Sequence, residues 1–131
     1  MESTESFNLP KCESQQVEFK TSFVFSNDRK RTMKDQQYNI CRAACSFMNA
    51  EGGTIYLGIK DDGTVVGLKN DLQKMKMSSL DEYSRYIRQA SRKYFSDDYA
   101  VSLIRTFPDH SDTIVIIEVE QSVDRVMAMS D

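Results

Sequence analysis

A mixed α/β (α+β) fold, one β-sheet covered by two helices in a single domain, follows from three features of the chain. Gly52-Gly53 separates the small-residue amphipathic run 38–49 from the apolar segment 54–60. Asp61-Asp62-Gly63 then offers a hairpin turn into the apolar segment 64–68. Residues 113–120 are apolar on both faces, as in a central strand. Together with the flanking segments these give the order β-α-β-β-α-β-β.

The elements are justified in order as follows. Residues 1–11 are polar and without periodicity, a disordered lead-in that Pro10 closes. From Gln16 to Phe23, Val17, Phe19, Thr21 and Phe23 alternate with Glu18, Lys20 and Ser22, predicting a half-buried strand that displays Glu18. A polar, partly basic loop, 26–32, leads into a first helix from about Lys34 to Asn49, with Tyr38, Cys41, Ala44, Cys45 and Met48 on one face. The glycine pair ends it, since a glycine takes φ > 0 without steric cost and lets the chain reverse into a strand. The hairpin 54–68 predicts two central strands. Ser79 and Glu82 have capping-box spacing, and Leu80, Tyr83, Ile87, Ala90 and Tyr94 form the apolar stripe of a second helix whose Arg85, Arg88, Arg92 and Lys93 lie off it. Segments 99–107 and 113–120, joined by a turn around Pro108, predict two further strands.

The chain has 131 residues, 40% of them apolar, which suits one core. A formal net charge of −3 and a pI near 5.2 argue against holding nucleic acid by bulk electrostatics, so an anionic partner needs a local basic patch. Cys12, Cys41 and Cys45 are odd in number, without repeated spacing, and no signal-like stretch precedes them. Reduced thiols in an intracellular, cytoplasmic protein are expected. No apolar run has the length a bilayer-spanning helix needs.

Glu13-Ser14-Gln15-Gln16-Val17-Glu18-Phe19-Lys20, then the block 46–63 around Gly52-Gly53, then Val65-Val66-Gly67-Leu68, resemble the Schlafen-type AlbA-like domain. The similarity covers roughly residues 13–120, so the domain is placed at 12–122, with 123–131 a tail that reads as the start of a further element. The resemblance implies a nucleic-acid-binding module, DNA or RNA, of an intracellular regulator of bacterial type. In cleaving members it implies three carboxylates, here Glu13, Glu18 and Asp61, holding Mg²⁺ or Mn²⁺ for RNA cleavage. Glu13 and Glu18 differ in strand parity, so their convergence demands a bend near Ser14. Where some cleaving relatives carry a further acid, this chain has Lys60.

Each candidate also has a plainer explanation. Glu18 and Lys20 fit a solvated charge pair on a strand, and Asp61-Asp62-Gly63 fits a tight turn. Lys20, Arg29, Lys30, Arg31, Lys34 and Lys60 are the candidates for phosphate contact, with Arg88 and Arg92 added if the second helix faces the ligand. Cys41 and Cys45 on an apolar helix face read as small hydrophobes rather than zinc ligands, and His110 as a solvent-facing turn residue. No phosphate-loop motif supports nucleotide binding. Three functions therefore stand side by side: a phosphate-backbone binder, a divalent-metal-dependent endoribonuclease, and a non-catalytic interaction lobe. A homodimer or a C-terminal partner domain would complete a single lobe.

Overall fold

The computed structural model describes residues 9–10, 13–26, 31–95 and 97–128. Cys12, Arg29 and Lys30 lie outside the described residues, as do most of the lead-in and the last residues of the tail. In chain order the elements are β1 (Val17–Lys20), α1 (Met33–Met48), β2 (Gly53–Leu57), α2 (Lys69–Met75), α3 (Leu80–Ser91), a 3-10 turn (Arg92–Tyr94), α4 (Asp98–Ser102), β3 (Ile104–Pro108) and β4 (Val115–Val119). The four strands form one mixed sheet in the order β1-β2-β4-β3, with β1 parallel to β2 and the other pairs antiparallel. A parallel pair needs a long crossover, and α1 is that crossover.

The register sorts side chains to two faces. Ile55 and Ile117 stand opposite each other and join the main core, where Ile40, Cys41, Ala44 and Met48 of α1 meet Tyr83 and Ile87 of α3. The alternate row, Phe19, Tyr56, Ile116 and Phe107, lies on the other face. There Phe19 sets its ring edge-on to Tyr56, at 6.1 Å between centroids, and is buried with Ile59 and Ile114 in a smaller cluster that Leu9 also touches. Burial of these apolar side chains is the main term holding helices to sheet.

Local signals explain the helix ends. Thr32 caps α1 by accepting the Asp35 N–H at 3.2 Å while the Asp35 carboxylate accepts the Thr32 N–H at 3.0 Å, a complete capping box. Ser79 caps α3 by accepting the Glu82 N–H at 3.1 Å, but Glu82 reaches back to the N–H of Ser78 instead of Ser79. At the diglycine corner Gly52 has φ of 80° and donates its N–H to the Phe47 carbonyl at 2.8 Å. A Cβ there would lie 2.8 Å from the Val119 carbonyl oxygen, and one on Gly53 would lie 2.5 Å from the Phe47 ring. Both positions require glycine, one for its dihedral angle and one for space.

The class, the single domain and the mixed sheet are as expected, and β4 is central. Four details differ. Residues 64–68 do not form a strand of the sheet: Ile59 and Val65 make an isolated bridge, and the Val66 and Gly67 N–H groups both donate to the Gly58 carbonyl. The cause is non-local, because β2 is flanked by β1 and β4 and has no edge left to pair. Residues 98–102 are helix rather than strand, since the Asp97 carboxylate accepts the Ala100 N–H at 3.0 Å and caps α4. A short helix, α2, adds to the two helices expected. Finally β1 stops at Lys20, because the Ser22 hydroxyl accepts the N–H groups of Val24 and Phe25 and turns the chain. Among the described residues no helix is long and apolar enough to cross a membrane.

Candidate functional site

A polar cleft of about 590 Å³ opens between the end of β1 and the outward face of α1. Lys20, Thr21 and Phe19 line one wall. Gln36, Asn39, Arg42, Ala43 and Ser46 line the other, at the three- and four-residue spacing that keeps them on a single helix stripe. Arg31 and Ser26 stand on the segment before α1, and Asp61 on the turn after β2. Three cations and one carboxylate therefore face this space, in a chain whose formal net charge is −3. The walls are tied together where Gln36 Nε2 donates to the Ser22 carbonyl at 2.8 Å.

The bend required at Ser14 is present. Ser14 and Val17 exchange backbone hydrogen bonds of 3.1 and 3.4 Å, closing a turn that folds Glu13 back along β1. Glu13 Oε2 accepts the Phe19 N–H at 2.9 Å. Glu18 pairs with Lys20 at 3.4 Å, both side chains about one-third exposed. Asp61 lines the cleft and a small recess shared with Thr21, Lys60 and Asp62. Asp62 accepts the Thr64 N–H at 2.9 Å, and hydrogen bonds from the Thr64 side chain and backbone hold its carboxyl below the usual range, as a turn-forming aspartate should be. Among the described residues no three His, Cys, Asp or Glu side chains come together as a group able to hold a metal ion.

Of the basic candidates, Lys20 and Arg31 face the cleft and Lys60 faces the adjoining recess. Lys34 lies in the first turn of α1. Arg88 donates to the Val101 carbonyl at 3.5 Å and Arg92 pairs with Asp98 at 3.9 Å; neither lines the cleft. Arg42, Asn39 and Ser46 were not singled out from the sequence. Their signal was the polar stripe opposite the apolar face of α1, which points to a site only once β1 is seen across from it. Cys41 and Cys45 are buried, and burial pushes their thiols up to about 12 and about 11. His110 is exposed.

The family profile described as Schlafen, AlbA_2 matches residues 13–131. No curated protein matches the chain. A crystal structure of the DIP2311 protein from Corynebacterium diphtheriae is similar with a TM-score of 0.54 and 16% identity, covering 89% of this chain and 20% of that one. The chain thus spans about a fifth of that protein's length, and the likeness carries the fold alone.

Proposed function

Because the chain belongs to the Schlafen AlbA_2 family, we propose that its polar cleft binds the phosphate backbone of a nucleic acid, as the binding module of an intracellular regulator. The supporting observation is local charge reversal. Lys20, Arg31 and Arg42 converge on one cleft of an acidic chain, with Lys60 beside it. Phosphates are the natural occupant of such a site, and the amide of Asn39 adds a neutral donor of the kind that fixes backbone register. Arg29, Lys30 and Lys34 extend the cationic set in sequence. Contacts of this type discriminate little between sequences, so target choice falls to a second copy or a partner domain.

Salt titration of binding to a labelled oligonucleotide tests this. Affinity should fall log-linearly with salt, and Arg42→Ala should flatten the slope by about 0.7–0.9, the increment for one lost phosphate contact. Affinity indifferent to salt overturns the proposal.

One observation favours metal-dependent RNA cleavage as a second reading: the Ser14 turn brings the Glu13 carboxylate onto Phe19, next in sequence to Glu18. Among the described residues Glu13, Glu18 and Asp61 are not gathered into one group able to hold a metal ion. Mn²⁺-dependent cleavage of a structured RNA that Glu18→Ala abolishes would support that reading, and equal cleavage by the variant would remove it.

A further inference from the structure

Beside the cleft lies a second groove, of about 850 Å³, between the segment leaving β1 and helix α2. Phe25 and Val66 supply its apolar surface and are 43% and 49% exposed. Lys69 and Lys74 of α2 supply its charge; the Asp71 carboxylate on the same wall is buried and accepts three hydrogen bonds. Thr21 lines the groove, the cleft and the small recess, so the three adjoin at that residue.

Phe25 is exposed but its backbone is anchored. Its N–H donates to the Ser22 hydroxyl at 2.8 Å, and that hydroxyl donates to Asp71 at 2.7 Å in the core. An outward aromatic on a fixed backbone, flanked by lysines and adjoining a cationic cleft, has the two parts of a single-strand platform: a π-face for a base and charge for the phosphates. A duplex keeps its bases stacked inside and presents none to such a ring.

Resting on the cleft as a phosphate site, we infer that the groove continues that track and takes single-stranded nucleic acid, one base stacking on Phe25 while Lys69 and Lys74 hold the neighbouring phosphates. An apolar residue with adjacent lysines also suits an acidic peptide, but the Thr21 wall that the groove shares with the cleft favours the polynucleotide.

Fluorescence anisotropy with a labelled single strand of about 12 nucleotides, within the range such grooves occupy, tests the inference. Phe25→Ala should weaken binding roughly tenfold with an unchanged salt slope, as expected for one lost stacking contact, and Phe25→Tyr should restore it. Lys69→Ala with Lys74→Ala should flatten the slope by about 1.4, two single-strand phosphates at about 0.7 each. A duplex of the same sequence should not sense Phe25→Ala. If Phe25→Ala binds like the parent while Arg42→Ala still flattens the salt slope, the groove is no part of the track and the cleft stands alone. If the strand shows no salt-dependent binding at all, the cleft proposal fails and this inference with it.

Discussion

The carboxylate of Glu13 accepts the backbone N–H of Phe19 at 2.9 Å, reaching across the turn closed by Ser14 and Val17. Among the described residues β1 is an edge strand, and its outward N–H groups have no neighbouring strand to receive them. Glu13 serves as that missing acceptor for Phe19, whose own ring is buried in the smaller cluster.

Glu13→Ala should therefore lower stability by about 1 kcal/mol, below the ~1.5–3 kcal/mol typical of hydrogen bonds to charged groups because Glu13 is exposed. Glu13→Gln keeps an acceptor oxygen and should recover part of the loss in urea unfolding. A stability unchanged by Glu13→Ala would mean that the contact does not hold β1.

The two glycines of the corner should respond differently to the same change. Gly52→Ala forces a side chain onto a φ of 80° and against the Val119 carbonyl, costing about 1–3 kcal/mol wherever the neighbours lie. Gly53→Ala meets the Phe47 ring first, at 2.5 Å. Shrinking that ring with Phe47→Leu should reduce the cost of Gly53→Ala by about 1 kcal/mol and leave the cost of Gly52→Ala unchanged. Equal coupling of Phe47 to both glycines in a double-mutant cycle would contradict this assignment.

What could be read from the sequence was what local chemistry decides. Gly52-Gly53 marks the helix-to-strand corner because no other residue satisfies both the dihedral angle and the approach of Phe47. Ser79 marks the start of α3 because its hydroxyl sits where an orphan N–H needs it. Strand parity showed that Glu13 and Glu18 could share a face only through a bend near Ser14, and a turn closes there, carrying Glu13 onto the Phe19 N–H. What escaped was non-local. Val65 and Val66 look like strand, but with both β2 edges occupied they make no ladder of the sheet, only the isolated bridge of Val65 to Ile59. The run 99–107 looks like one strand, yet Asp97 caps its first half into α4. Arg42 and Ser46 look like an ordinary solvated stripe until the fold sets Lys20 opposite them.

Asp71 gives a pH dependence opposite in sign to that of most carboxylates. Its side chain is buried and accepts hydrogen bonds from the Ser22 hydroxyl at 2.7 Å, the Phe23 N–H at 3.4 Å and the Tyr83 hydroxyl. Burial raises its carboxyl above the ordinary value of 3.8, and the hydrogen bonds from Tyr83, Ser22 and Phe23 only partly oppose the rise. Between 3.8 and the raised value the folded chain keeps a proton that the unfolded chain has released. Linkage then makes Asp71's contribution to stability increase as pH falls through that window and level off above it. Asp71→Asn, which cannot ionise, should lack this increase, so urea unfolding of parent and variant across the window should give a difference curve that climbs toward low pH. Parallel curves would show that Asp71 does not titrate as its burial requires. Asp71→Ala should cost about 3 kcal/mol or more at any pH, because three buried donors lose their acceptor together. As Phe25 is tied to the same Ser22 hydroxyl, that variant should also loosen the platform beside the cleft.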